Sequence, residues 1–486
     1  MSAFDLRLQA LVRPLLAGLG LLRETSAGVS SVAQGEEPQS EDPPAVEPPE
    51  ELPDTFCIHP WTRLRVEPRA AGVCCAFRGG VISRNGSPLL PDQHPLEEIW
   101  NSDQMRAIRQ DMVEGRKIAG CEECYQNEAL GGTSMRIRDN QSWQAGWLNE
   151  EFTEIAALKS AAVSSDFRVA PPISIEVDTG SLCNLKCRMC HGGVSSRIAS
   201  DPVHGTWSRD SFSGGPYHDE RLTPRLPDVI RFSKRSFIND VPSYVDHVKR
   251  IYFIGGEPTL VEEIGDVLQQ LIDSGKSKQI ELALVSNGSE TGSWLSLTKH
   301  FKKLDLSISM DGFGEVYDYI RYPSLWNNLV KNISVFQSMP HANVGASVTL
   351  QANNMLSVTD LFRYLDGIKV GFYCYPIYMP RHLTVWAMPK LVRQIAASRL
   401  REYADTDCLP QHRDTIEGLA KQVEPGEDAY DAELLRQFMV FTNDLDVSRG
   451  QSVSDADPEL VGLLADEGFP WVEDTLHAGQ QFPSRQ

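Results

Sequence analysis

The chain has 486 residues, 41% of them hydrophobic, which is enough for about two or three domains with sizeable cores. Its formal net charge of −20 argues against a general binder of nucleic acid or of anionic membranes. It has no uncharged run of about twenty apolar residues, so no membrane span is predicted. Ten cysteines fall in clusters, a pattern that suits metal ligation better than a disulfide framework.

The first fifty residues divide into two segments of different character. Residues 1–25 are apolar with interspersed arginines, and no convincing cleavage site follows them, so a loose amphipathic helix is favoured over a signal peptide. Residues 26–53 are rich in Glu, Pro and Ser, which predicts a disordered acidic linker.

Residues 54–140 combine five cysteines with a predicted hairpin and helix. The alternating strand 64–67 and a turn at 68–72 predict a β-hairpin with a cysteine near each end. Four thiols are the plausible ligands of one metal centre: Cys57, Cys74, Cys121 and Cys124. Cys75 is the alternative to Cys74, since adjacent strand residues face opposite ways and only one of the two is expected to ligate. Structural zinc and one [4Fe–4S] cluster both fit such a set.

Three further cysteines, Cys183, Cys187 and Cys190, share one short loop. An iron–sulfur cube normally takes four cysteines, so three thiolates on a loop would leave one iron open to a ligand. Zinc is the alternative, because it needs a fourth ligand and His191 follows directly.

From the cysteine loop onwards, predicted strands alternate with helices, which indicates an α/β fold with a parallel sheet. The predicted strands cover 173–177, 251–254, 280–285, 304–309, 346–350 and 370–374. A bridge over 141–170 precedes them, a polar insertion over 201–240 interrupts them, and helices at 391–404 and 433–443 follow. In a parallel barrel, functional residues gather at the C-terminal ends of the strands.

The cysteine loop and the turn Gly255-Gly256-Glu257-Pro258 together resemble the radical S-adenosylmethionine (radical SAM) enzymes. That family has Cys-x3-Cys-x2-Cys after its first barrel strand and Gly-Gly-Glu after its second. Met189 departs from the pattern, since an aromatic residue usually precedes the last cysteine. The resemblance implies a partial (β/α)6 TIM-type barrel over 171–390, followed by a helical C-terminal region over 391–486.

The resemblance also implies cofactors and a set of site residues. A [4Fe–4S] cluster on Cys183, Cys187 and Cys190 would bind S-adenosylmethionine through its open iron and cleave it reductively to a 5′-deoxyadenosyl radical. Candidate cofactor-binding residues lie on the turn and on strand tips: Gly255, Gly256, Glu257, Pro258, Asn287, Ser309, Asp311 and Arg321. Cys374 is either a hydrogen-atom donor or, as we favour, a buried apolar cysteine.

The order of elements in 54–140 resembles the auxiliary-cluster modules called SPASM and twitch. The resemblance implies a small cysteine-rich α+β module with a second [4Fe–4S] cluster, although such modules usually follow the barrel and this one precedes it. Three functions stay open. They are a radical SAM enzyme that crosslinks, epimerises or oxidises a peptide, a radical SAM dehydrogenase of a small metabolite, and a zinc-binding interaction protein without catalysis. An enzyme of this kind implies a flavodoxin or ferredoxin as electron donor and a reducing cytoplasm.

Overall fold

The computed structural model describes the chain from residue 54 to residue 474, with gaps. The described ranges are 54–68, 70–129, 133–151, 153–213, 245–426 and 431–474. The helix predicted in 1–25, the linker 26–53 and most of the insertion 201–240 lie outside these residues.

One eight-stranded sheet organises the fold, in the order β10-β9-β8-β7-β6-β5-β1-β2. All neighbours in it are parallel except the antiparallel pair β1 and β2. Two short strands, β3 and β4, pair separately. The strands are β1 Arg63–Glu67, β2 Ala70–Gly72, β3 Ser83–Arg84, β4 Ser87–Pro88, β5 Ser174–Asp178, β6 Arg250–Ile254, β7 Glu281–Ser286, β8 Lys303–Ser309, β9 Ala342–Leu350 and β10 Gly371–Pro376.

The predicted α/β fold with a parallel sheet is confirmed, and the six predicted strands correspond to β5–β10. Most boundaries agree within one or two residues. Strand β9 begins at Ala342, four residues before its predicted start at 346. Its first four residues are only half-buried, so they carry no continuous apolar signal for a buried strand.

The N-terminal hairpin joins this sheet, which the sequence did not indicate. Strand β1 runs parallel to β5, with Leu64 beside Ile175 and Val66 beside Val177. Strand β2 covers Ala70–Gly72 and so occupies most of the turn predicted over 68–72. The predicted turn is therefore too long. Cys74 and Cys75 therefore lie beyond the strand, where the alternation of strand residues does not decide which way each thiol points.

Helices cover the sheet and bury apolar stripes against it. In α9, for example, Ile264, Val267, Leu268 and Leu271 are buried at helical spacing. The α-helices are α1 His59–Thr62, α2 Leu96–Trp100, α3 Asp103–Val113, α4 Glu122–Ala129, α5 Met135–Gln144, α6 Ile155–Ser164, α7 Ser196–Ala199, α8 His204–Ser213, α9 Glu263–Asp273, α10 Glu315–Ile320, α11 Trp326–Gln337, α12 Val358–Gly367, α13 Lys390–Thr406, α14 Arg413–Val423, α15 Ala432–Arg449, α16 Val453–Ala456 and α17 Pro458–Asp466. Single 3₁₀ segments are Ala119–Cys121, Pro258–Leu260, Ser277–Gln279, Ser293–His300, Arg381–Leu383 and Val385–Ala387.

The C-terminal helices predicted at 391–404 and 433–443 are confirmed as parts of α13 and α15. Helix α15 begins at an Asp431 side chain that accepts from two backbone amides, and it ends at Gly450 in a left-handed conformation. Across the ranges that the structure describes, no helix has both the length and the apolar character needed to cross a bilayer.

Candidate functional site

The segment that leads into the cysteine loop is hydrogen-bonded to the glycine turn that follows β6, Gly255-Gly256-Glu257-Pro258. The Thr179 amide and hydroxyl both donate to the Ile254 carbonyl oxygen at 2.8 Å. The Gly256 amide donates to the carbonyl oxygen of Gly180 at 2.7 Å, and the Glu257 amide donates to that of Leu182 at 2.7 Å. These four bonds fix the start of the loop against the end of a neighbouring strand.

This contact explains why the turn contains two glycines. Gly255 has a φ of +128°, and a Cβ built there would lie 2.9 Å from the Thr179 amide nitrogen. A Cβ on Gly256 would lie 2.8 Å from the Leu182 carbonyl carbon. The sequence assigned these glycines to close approach of a cofactor, but in the structure the cysteine loop itself already requires them.

The middle of the loop is hydrogen-bonded to the last residue of α10 and to the segment that follows it. The Lys186 amide donates to the Tyr322 carbonyl oxygen at 2.7 Å, and the Arg188 amide donates to that of Ile320 at 2.9 Å. The loop is therefore held between the ends of β6 and α10 by backbone bonds, which position its thiols independently of any metal.

The three thiols of the loop lie close to one another. The Cys187 and Cys190 side chains share a hydrogen bond, which lowers the pKa of Cys187, and the nearby charge of Arg321 lowers it further. Burial raises the pKa of Cys183 to about 12, and the charge of Cys187 adds to that effect. The thiols of the loop therefore influence one another's protonation.

Two predicted cofactor-binding residues approach the sulfur atoms directly. The Asn287 amide nitrogen Nδ2 is 3.9 Å from Cys183 Sγ, and Arg321 Nη1 is 3.8 Å from Cys187 Sγ. Arg321 also donates through Nε and Nη2 to Asp311 Oδ2, at 2.7 and 2.6 Å. Asp311 Oδ1 accepts from the Thr349 amide at 2.7 Å, so this carboxylate fixes the arginine beside the loop.

The Glu257 carboxylate is buried and bonded within the chain. It accepts from the amide and hydroxyl of Thr259, from the Ser286 hydroxyl at 2.9 Å and from the Asn287 amide at 2.6 Å. Burial raises its pKa. In this arrangement Glu257 links the glycine turn to the end of β7 and so positions Asn287.

The remaining candidates occupy different surroundings. Pro258 is buried and opens a 3₁₀ turn, and Ser309 is half-buried at the end of β8. Cys374 is 7% exposed and lies on the same side of β10 as Phe372. Because Phe372 stacks on Phe362 of α12 with ring centroids 4.5 Å apart, that side faces the helices.

The thiols of the N-terminal module influence one another. Burial raises the pKa of Cys57, and the charges of Cys121 and Cys124 raise it further. Burial also raises the pKa of Cys74, and the charges of Cys75, Cys57, Glu176 and Cys121 add to that effect. The Cys75 thiol lies 4.0 Å from Met135 Sδ, and the charge of Glu176 adds to the rise in its pKa.

Sequence reasoning missed the residues that cover the cysteine loop from the C-terminal region. Arg188, inside the loop, donates to Asp446 of α15 and to Gln451 Oε1 at 3.1 Å. The guanidinium carbon of Arg449, on the same helix, lies 5.2 Å from the centroid of the Tyr322 ring. An arginine between two cysteines was visible in the sequence, but its partner 258 residues away was not. Among the described residues, no group of three or more His, Cys, Asp or Glu side chains is arranged to hold a single metal ion.

No family model matches the chain, and no curated protein matches it. Several solved structures are similar to parts of it. The structure of anSMEcpe with bound AdoMet is 17% identical, with a TM-score of 0.35 over 49% of this chain and 62% of that chain. SuiB from Streptococcus suis is 10% identical, with a TM-score of 0.32 over 84% of this chain and 74% of that chain. TYW1 with a lysine-pyruvate adduct is 13% identical, with a TM-score of 0.26 over 51% of this chain and 76% of that chain.

The matched part of this chain thus covers less than two thirds of the length of anSMEcpe.

Proposed function

We propose that the chain is a radical SAM enzyme whose cysteine loop carries a [4Fe–4S] cluster. The proposal rests on the group of three thiols, Cys183, Cys187 and Cys190. Backbone hydrogen bonds hold their loop between the end of β6 and the end of α10. Asn287 and Arg321 lie within 4 Å of two of these sulfur atoms, at 3.9 and 3.8 Å. Thiolates are the usual ligands of such clusters, and positive charge beside them favours the thiolate form.

Each part of the site has an assigned task in this proposal. When bound, the cluster and S-adenosylmethionine would supply the electron and the radical that abstracts a substrate hydrogen atom. Cys183, Cys187 and Cys190 would hold the cluster. Arg321, fixed by Asp311, offers positive charge at the loop. Glu257 accepts from the backbone amide of Asn287 and so positions the Asn287 side chain, whose Nδ2 lies near the Cys183 sulfur.

The N-terminal module is proposed to hold a second, auxiliary [4Fe–4S] cluster. We assign Cys57, Cys74, Cys121 and Cys124 as its ligands, because the charge of Cys121 acts on both Cys57 and Cys74 while the Cys75 thiol lies 4.0 Å from Met135 Sδ. Four cysteines complete the coordination of one cluster, so this one would serve electron transfer.

A peptide is the proposed substrate, to be crosslinked, epimerised or oxidised. The support for it is the resemblance of the N-terminal module to SPASM and twitch modules. A flavodoxin or ferredoxin is the proposed electron donor, and the cytoplasm stays the predicted compartment. If peptides fail as substrates, the alternative function is oxidation of a small metabolite.

The proposal is tested by anaerobic reconstitution of the full chain with iron, sulfide, S-adenosylmethionine and a reductant. We expect formation of 5′-deoxyadenosine and methionine, and loss of both when Cys183, Cys187 and Cys190 are replaced by Ala. C408A is the matched control, because Cys408 is remote in sequence from the loop and its thiol donates to the neighbouring Leu409 carbonyl oxygen. Purification with zinc and without sulfide would refute the proposal.

A further inference from the structure

Helix α15 contacts the cysteine loop through Arg188. Arg188 is fully buried, and its guanidinium carbon lies 3.6 Å from the Tyr319 ring centroid. It donates to Asp446 Oδ1, and Asp446 Oδ2 accepts from the Tyr319 hydroxyl at 3.2 Å and from the Val453 amide at 2.7 Å. The C-terminal region is therefore built into the support of the loop.

The cations around the loop differ in whether they have a carboxylate partner. Three of them have a carboxylate partner: Lys186 with Asp201 at 2.6 Å, Arg188 with Asp446, and Arg321 with Asp311 at 2.6 Å. Arg449, three residues after Asp446 on α15, has no carboxylate at ion-pair distance in the part of the chain that the structure describes. Asp201, the carboxylate whose charge acts on Arg449, is already bonded to Lys186.

The Arg449 guanidinium is nonetheless buried. The residue is 8% exposed, and its Nε and Nη1 have no hydrogen-bond partner among the described residues. Its Nη2 donates to His204 Nδ1 at 2.9 Å, and burial holds the pKa of His204 well below its usual value, so the imidazole is neutral. Burial also lowers the pKa of Arg449, but only to about 9, so it is charged at neutral pH.

A buried cation without an anion is costly, and chains retain one where an anion completes the site. Arg449 lies beside the cysteine loop, because its guanidinium carbon is 5.2 Å from the centroid of the Tyr322 ring and the Tyr322 carbonyl oxygen accepts from the Lys186 amide of the loop. A [4Fe–4S] cluster on three thiolates would bring negative charge to that place. Reduction would add one further electron, and a nearby cation favours the form with more negative charge.

We propose that Arg449 is a positioning residue that compensates the charge of the loop cluster and raises its reduction potential. The inference rests on the proposed function, because it requires the cluster. It assigns a task to the C-terminal helix: α15 holds the loop through Asp446 and supplies an unpaired positive charge through Arg449.

The test compares the midpoint potentials of charge-removing and charge-keeping variants. R449Q and R449M remove the charge, and R449K keeps it. Anaerobic redox titrations followed by electron paramagnetic resonance are made in a C121S/C124S background, so that the loop cluster alone is observed. Iron and sulfide content are measured on every sample.

We expect R449Q and R449M to shift the midpoint to more negative values, and R449K to restore most of the shift. R393Q is the matched control, since Arg393 is equally buried at 8% exposure but donates to carbonyl oxygens at the end of α14. It should leave the potential unchanged. If R449Q does not fold, R449M alone gives the effect of removing the charge, because its apolar side chain suits the buried position.

The two possible failures are distinguishable. If charge-removing variants load normally and keep the wild-type potential, the role of Arg449 is refuted while the cluster stands. The same holds if R393Q shifts the potential as much as R449Q does. If the unsubstituted chain takes up no iron and sulfide, the proposed function fails instead.

Discussion

Replacing Gly256 by Ala tests whether the glycine turn positions the cysteine loop without any cofactor. A Cβ at this position would lie 2.8 Å from the Leu182 carbonyl carbon and 2.9 Å from the Ser181 carbonyl carbon. Both are backbone atoms, so no side chain can rotate away to make room. The loop would have to move away from the turn.

The cost follows from the contacts that this movement breaks. Overpacking costs typically about 1–3 kcal/mol. The two 2.7 Å bonds from Gly256 and Glu257 to the loop are weakened as well, and a backbone hydrogen bond contributes about 1 kcal/mol net. We therefore expect G256A to lower the free energy of unfolding by about 2–4 kcal/mol.

The assay is urea unfolding of the chain without iron, followed by iron uptake under anaerobic conditions. G418A is the matched control, because a Cβ at Gly418 in α14 meets nothing within 4 Å. It should be neutral or stabilise the helix by up to about 1 kcal/mol. An unfolding free energy of G256A within about 0.5 kcal/mol of the unsubstituted chain would refute the reasoning.

Three further outcomes are expected. C74S should lose the auxiliary cluster while C75S keeps it, measured as iron per chain, and equal losses would contradict the assignment of ligands. D446N leaves Arg188 buried without its carboxylate, so it should lower the free energy of unfolding in urea by about 3–5 kcal/mol. A loss smaller than that caused by a substitution at an exposed position would contradict this expectation. Burial raises the pKa of Asp457 to about 6 from 3.8. The folded form thus binds the proton more tightly, so stability should fall by at most about 3 kcal/mol as the pH rises from about 4 to 6, and D457N should flatten this slope.

Local patterns in the sequence determined much of the architecture. The six parallel strands followed from short apolar runs separated by helical stripes such as that of α9, because both periods are properties of neighbouring residues. The two cysteine groups were equally evident. Thiols close together in sequence on one loop, such as those of Cys183, Cys187 and Cys190, must also be close in space.

Contacts between distant segments were decided only by the tertiary structure. The pairing of β1 with β5 joins residues 111 positions apart, such as Leu64 and Ile175, and no local period specifies such a partner. The end of β2 at Gly72 removed strand alternation as a criterion for choosing between Cys74 and Cys75. The bond between Arg449 and His204 spans 245 positions. Whether a buried arginine has a carboxylate partner depends on what the fold packs around it, so the absence of one for Arg449 among the described residues appears only in three dimensions.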